Sequence, residues 1–265
     1  MDLQVVRDQL LALLPDHILA RRHRRNFNLR IFDGNPAHHV PEFFEDRQSF
    51  IGRVVAQTEE IIVLQVQPAD FVVLERCLVT TTPKVEELVH VQPYVRRGFD
   101  GQRPGELSED GRPSIVERGM TVAMLSTLCN LDTIKLPVSE PKGWELQWLV
   151  AVLEELPAPD GYRRIAHMLV DANASDFQTI DPDPRDQIET SPSISFYVAT
   201  GKFSGKVTIR YELVFDAFEI ELHRDDELCQ SLNAVHVSRL GEELERLIDD
   251  GSWKDIALSI LEDQA

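Results

Sequence analysis

The chain has 265 residues, of which 43% are hydrophobic and 27% are charged, and this composition excludes a disordered or fibrous protein. Its formal net charge is −18. The sequence contains no run of 18 apolar residues, so it predicts no membrane-spanning helix. The charge is unevenly placed: residues 1–112 hold 14 Lys and Arg against 17 Asp and Glu, whereas residues 113–265 hold 13 against 28. The acidic second half is expected to repel nucleic acid unless a local basic patch overrides it.

Cysteine usage and the first residues indicate a cytoplasmic protein. Cys77, Cys129 and Cys229 lie far apart and form neither a Cys-x-x-Cys pair nor an even set for disulfides, which suits a reducing compartment. The first ten residues, MDLQVVRDQL, are amphipathic and carry an early Asp, unlike a secretory signal. We therefore expect a cytoplasmic location with no membrane attachment.

A candidate for partner binding follows the predicted N-terminal helix. Apolar residues at helical spacing predict that helix over residues 2–14. A second helical segment then leads into a positive cluster, Arg21, Arg22, Arg24 and Arg25. These arginines are the candidate partner-binding residues, because guanidinium groups bind phosphates. The alternative is a solvated helix end, where cations suit the negative pole of the helix dipole.

The segment from residue 27 to residue 97 is rich in β-strand patterns. Residues 52–66 favour a bent strand or a hairpin, with its turn near residues 57–60. Three further strands are predicted at residues 27–32, 70–75 and 88–97. Short strands in this number suit a compact, barrel-like module of about 50 residues.

Part of this β segment resembles a known family. Residues 52–59, GRVVAQTE, are followed by the apolar-Gln run IVLQ at residues 62–65 and by the later run LVHV at residues 88–91. This order resembles the KfrB-type domain of plasmid-borne proteins over residues 50–97. The chain departs from that pattern at Ile61, where the family usually carries a His, and at Glu86-Glu87, where a Gly is expected. The resemblance implies an accessory protein of a plasmid or another mobile element, and it implies no reaction.

Residues 98–113 form the predicted boundary between two domains. They contain four Gly and two Pro and show no apolar period, as is typical of a linker. We expect an N-terminal helix plus a small β module over residues 1–112, and an acidic α+β domain over residues 113–265. Helical spacing in the second domain predicts helices near residues 114–129, 143–156 and 237–251.

The stretch from residue 193 to residue 224 predicts three antiparallel strands. Apolar and polar residues alternate along it, so one face of the sheet is expected to be buried and the other wet. Three strands need cover, and we expect residues 207–215 to pack under Trp144, Trp148 and Leu244. The predicted fold class is α+β: a small barrel-like β module after an N-terminal helix, then an antiparallel three-stranded sheet packed by helices.

The wet face of these strands holds the candidates for catalysis. Glu219, Glu221 and His223 share one strand face, and such a row could serve acid–base or metal chemistry. The alternative is structural, because Lys206 and Arg210 are available for cross-strand pairing on the same face. The chain shows no phosphate-binding loop, dinucleotide fingerprint or nucleophile elbow. No cofactor or metal is therefore expected, and no catalytic residue is assigned beyond these candidates.

These patterns favour a non-enzymatic accessory protein of a plasmid or other mobile element. Its partner is expected to be a protein, or nucleic acid through the cluster at residues 21–25. One alternative is an acidic inhibitor that mimics DNA and occupies a DNA-binding protein. The other is a metal-dependent hydrolase that uses Glu219, Glu221 and His223.

Overall fold

A computed structural model of the chain describes residues 3–14, 27–34, 47–102, 134–183 and 189–261. These residues fall into two compact units, and each contains its own sheet. The first unit holds the described residues up to 95 together with residues 253–261, and the second holds those from 96 to 252. The predicted boundary at residues 98–113 lies mostly outside the described residues and stays a prediction. None of the described helices is long and apolar enough to cross a membrane.

The described elements of the first unit are α1 (Leu3–Leu13), β1 (Asn28–Phe32), β2 (Phe50–Gln57), β3 (Ile61–Gln67), β4 (Asp70–Glu75), a 3₁₀ turn (Arg76–Leu78), β5 (Leu88–Gln92) and β11 (Ala257–Leu261). The strands form a six-stranded sheet of order β1-β4-β3-β2-β5-β11. Strand β1 runs parallel to β4, and the other neighbours in this sheet are antiparallel. The predicted helix at residues 2–14 and the predicted hairpin before residue 67 are both confirmed.

The sequence analysis predicted a barrel-like module, but the sheet of the first unit does not close into a barrel. Its edge strands are β1 and β11, and hydrogen bonds do not join them in the described part of the chain. A Cβ on Gly34, just after β1, would lie 3.1 Å from the Lys254 Cδ, just before β11. Val6 and Leu10 of α1 are buried with the apolar residues of one sheet face, and a second buried cluster covers the other face.

Strand β11 completes the first sheet after the chain has passed through the whole second unit. It pairs with β5 in antiparallel register, with Leu258 opposite Val91. A 3₁₀ turn at Ser252–Lys254 leads into it. The second unit is therefore an insertion in the sequence of the first, which the sequence analysis did not predict.

In the described residues, the second unit combines a five-stranded antiparallel sheet with three helices. The sequence analysis predicted the three inner strands and missed the two outer ones. The strands are β6 (Ser175–Ile180), β7 (Ser193–Ala199), β8 (Ser204–Glu212), β9 (Ala217–Arg224) and β10 (Glu227–Val235). Their order in the sheet is β10-β9-β8-β7-β6. The helices are α2 (Trp144–Glu155), α3 (Ile165–Asp171) and α4 (Val237–Ile248). The predicted helix at residues 114–129 lies outside the described residues.

One face of this sheet packs against the helices, as the alternation predicted for most of its length. Val207, Ile209 and Tyr211 are buried there, and Leu244 of α4 belongs to the same cluster. Trp148 of α2 stacks on the Phe218 ring at 5.4 Å and lies 4.6 Å from the Tyr211 ring. Burial of these apolar and aromatic side chains supplies most of the free energy that holds the helices on the sheet.

The packing prediction is wrong for Trp144 and Phe215, which are both exposed. Strand β8 ends at Glu212, and residues 213–216 form the turn to β9, so the alternation stops before it reaches Phe215. Trp144 is the first residue of α2, one turn away from Trp148, and lies beyond the aromatic stack. The periodic patterns thus placed both residues in a core that does not extend as far as either of them.

A buried arginine ties α3 to the end of α4. The Arg163 side chain is fully buried, and it contacts the carboxylates of Asp160 at 3.0 Å and Asp171 at 2.6 Å, and also that of Asp249. Burial opposes the charged form, but the three carboxylates outweigh it and raise the pKa of Arg163. The guanidinium therefore stays charged in the interior and crosslinks two segments 86 positions apart.

Candidate functional site

The sheet face opposite the helices carries the predicted catalytic row. The strand register aligns the residues of this face in rows, and three of these rows cross four or five strands. The first row is Ile180, Ser193, Arg210 and Glu219; the second is Gln178, Ser195, Thr208, Glu221 and Ser231; the third is Ser175, Tyr197, Lys206, His223 and Leu228.

Arg210 lies between the two candidate glutamates. Its Nη1 is 3.1 Å from Glu219 Oε2 and 2.7 Å from Glu221 Oε1, and its Nη2 donates to Glu221 Oε2 at 2.8 Å. These hydrogen bonds hold the pKa of Glu221 below its usual range. His223 Nε2 lies 3.8 Å from Glu221 Oε2, so the structure does bring all three candidates together.

This arrangement favours the structural interpretation of the row. Both oxygens of Glu221 are occupied by the guanidinium, and a carboxylate held ionised in this way is a poor proton donor. Among the described residues, no group of three or more His, Cys, Asp or Glu side chains is arranged to hold a metal ion. The cross-strand pairing predicted for Arg210 is present.

Two other polar groups serve the fold. Asp181 lies just after β6 and binds the start of α2: its Oδ2 accepts from the Lys142 N–H at 2.6 Å, and its Oδ1 accepts from the Gly143 N–H at 3.1 Å. His167 is buried in α3, where its Nδ1 accepts from the Arg164 N–H at 3.1 Å. The predicted partner-binding residues Arg21, Arg22, Arg24 and Arg25 lie outside the described residues.

Sequence reasoning missed a group of exposed apolar side chains at one end of the second sheet. This end, which we call the β8–β9 end, contains the turn at residues 213–216. Ile180 pairs with Ser193 and thus lies on the first of the three rows, near that turn, and the contacts of Asp181 bring the start of α2 to the same end. The exposed group consists of Trp144 (61% exposed), Ile180 (52%), Val214 (69%) and Phe215 (75%).

A signal for this group was present in the sequence. Leu213, Val214 and Phe215 are three consecutive apolar residues, and a period of two cannot turn all three toward one face. At least one of them had to face solvent. Only Leu213 of these three packs against the core.

No protein-family model matches this chain, and no curated protein or solved structure matches it either.

Proposed function

We propose that this chain is a non-enzymatic, cytoplasmic accessory protein of a plasmid or other mobile element, and that it acts by binding a protein partner. The observation that carries the proposal is the exposure of Trp144, Ile180, Val214 and Phe215 at the β8–β9 end. The mobile-element context rests on the resemblance of residues 50–97 to the KfrB-type domain.

Exposed apolar groups argue for a partner when they are large and gathered in one place. A single exposed apolar residue is ordinary, but a contiguous apolar area on a protein surface is typical of an interaction site. Two of the four side chains are aromatic, and aromatic residues contribute much of the binding energy in protein interfaces. The second unit thus offers an end surface that gains free energy when a partner covers it.

The polar face of the same sheet supports binding over catalysis. Arg210 neutralises Glu219 and Glu221, which are the carboxylates that the hydrolase alternative requires. A catalytic pair normally keeps one carboxyl group available to donate or accept a proton. Here the Arg210 guanidinium binds both carboxylates, and these contacts stabilise the pairing of β8 with β9.

The test is affinity capture from the host cell with four baits, with and without nuclease treatment. The baits are the wild type, Val214→Ser/Phe215→Ser, Trp144→Ser, and the matched control Leu228→Ser, which removes an apolar side chain that is 55% exposed far from the β8–β9 end. We expect a protein that is captured by the wild type and the control, withstands nuclease, and is lost with the other two baits. Identical captures from all four baits would contradict the proposal.

The nuclease treatment separates the two classes of partner. A partner held through nucleic acid is lost on digestion, and its capture should also fall when Arg21, Arg22, Arg24 and Arg25 are changed to Ala. Capture that depends only on these arginines, and not on Phe215, would replace the protein-binding proposal by a nucleic-acid one.

A further inference from the structure

The charge around the exposed apolar group is strongly one-sided. Four described segments form the β8–β9 end, at residues 140–145, 180–183, 189–193 and 212–219. They contain eight acidic residues and one basic residue, Lys142. Five of the acids are exposed, namely Glu140, Asp181, Asp183, Glu189 and Asp216.

Among the described residues, the arginine nearest to this end on the polar sheet face does not offset this charge. Arg210 lies on the first of the three rows, but its guanidinium is engaged by Glu219 and Glu221. The negative potential at the end of the sheet therefore extends to the solvent, where it attracts cations and repels acidic surfaces. Exposed apolar side chains with acidic residues around them are complementary to a segment that carries both apolar and basic side chains.

We infer that the β8–β9 end binds a cationic amphipathic segment of the partner protein. In such a segment, Lys and Arg side chains flank a stripe of large apolar residues, as in helices that dock by one apolar face. The apolar stripe would cover Val214, Phe215, Ile180 and Trp144. The flanking cations would face the exposed carboxylates of Glu140, Glu189 and Asp216. This inference rests on the proposed function, since it names the chemistry of the partner.

The test measures the affinity of the full chain for a synthetic peptide with Leu on one helical face and Lys on the other, by fluorescence anisotropy. Binding to Val214→Ser/Phe215→Ser should be at least about tenfold weaker than to the wild type. A peptide with Glu in place of Lys should not bind. Circular dichroism of each variant checks that the fold is intact.

A matched pair of variants tests whether the location of the charge matters. Glu140→Gln/Asp216→Asn removes two charges at the β8–β9 end, and Asp225→Asn/Asp226→Asn removes two at the opposite end. Asp216, Asp225 and Asp226 all have positive φ, which Asn tolerates. We expect the first variant to weaken binding several-fold and the second to leave it nearly unchanged. Equal weakening would overturn the inference, because it would show a general attraction between an acidic protein and a basic peptide.

Two other outcomes would overturn the inference. Equal affinity for the Glu peptide would show that the surface selects apolarity alone. Sedimentation of the wild type, but not of Val214→Ser/Phe215→Ser, with phosphatidylcholine vesicles would assign the apolar end to a lipid surface. If the Lys peptide does not bind but cellular capture depends on Phe215, only the inference falls. If the peptide binds and no captured protein depends on Phe215, the proposed function falls.

Discussion

Arg210 and Glu221 are diagonal neighbours on adjacent strands and form two contacts, with Arg210 Nη1 2.7 Å from Glu221 Oε1 and Nη2 2.8 Å from Oε2. A two-point contact of this kind fixes the relative orientation of both side chains. It joins β8 to β9 on the side of the sheet that the helices do not cover. The same contact removes from Glu221 the freedom that a catalytic carboxylate needs.

We expect Arg210→Gln to lower the free energy of unfolding by about 1 kcal/mol or less, since partly exposed ion pairs contribute little. Urea denaturation of the wild type, Arg210→Gln, Glu221→Gln and the double variant gives the coupling energy of the pair. Lys206→Gln, on the same face, is the control and should not couple to Glu221→Gln. A hydrolysis activity that Glu221→Gln abolished with the fold intact would restore the hydrolase alternative.

Arg163→Met should destabilise the second unit by about 3–5 kcal/mol, because it leaves buried carboxylates without their cation. Asp160 and Asp249 are almost fully buried, so solvent cannot replace the guanidinium. Thermal or urea unfolding of the variant measures the loss. Arg239→Met is the control: its side chain is mostly exposed in its contacts with Glu242 and Glu243, and we expect a cost of about 1 kcal/mol or less. Similar costs for both variants would contradict the role assigned to Arg163.

His167 should make the protein less stable as the pH falls below neutrality. Burial, together with the positive charges of Arg96, Arg164 and Arg163, lowers the pKa of His167 from 6.5 to about 3. Between these values the unfolded chain binds a proton and the folded chain does not. Folding stability therefore decreases by up to about 1.4 kcal/mol for each pH unit of acidification in this window.

The variant His167→Gln should remove this part of the pH dependence. Gln at this helical position can still accept the hydrogen bond from the Arg164 N–H, as in a capping box, but it does not titrate. Urea denaturation of both proteins at several pH values between 7 and about 4 measures the difference in slope. The assignment would be wrong if the two proteins lost stability in parallel.

Gly143→Ala should destabilise the start of α2 by about 1–3 kcal/mol. A Cβ at this position would lie 2.6 Å from Asp181 Oδ1, the atom that accepts from the Gly143 N–H. The carboxylate would have to move away from the two amides that it binds. In an Asp181→Ala background the same glycine change should cost less, and denaturation of the four proteins tests this. An equal cost in both backgrounds would show that the clash is not its source.

The elements that the sequence predicted correctly are those with a strong local period. Helices at Leu3–Leu13, Trp144–Glu155 and Val237–Ile248 have apolar residues at helical spacing, and β7 to β9 alternate with a period of two. Strands β6 and β10 were missed because they lie at the edges of the sheet, are largely exposed, and are interrupted by bulges near Asp176 and Ala234. Edge strands lack the buried face that produces alternation.

Pairings between distant segments carried no local signal. The parallel pairing of β1 with β4 and the pairing of β11 with β5 depend on contacts that no window of sequence contains. The candidate site was predicted in part. The alternation placed Arg210, Glu219 and Glu221 on one face, but only the register shows Arg210 between the two carboxylates. Trp144 and Phe215 were assigned to the core because the period was extended beyond the end of β8.

The pairing of β11 with β5 has a consequence for the order of events during synthesis. A ribosome makes β5 first, then the whole second unit, and only then residues 257–261, which complete the first sheet. The second unit can therefore reach its native contacts while the first still exposes the β5 edge at residues 88–92. Nascent chains of this protein should acquire protease resistance in the later-made unit first, a reversal of the usual N-terminal order.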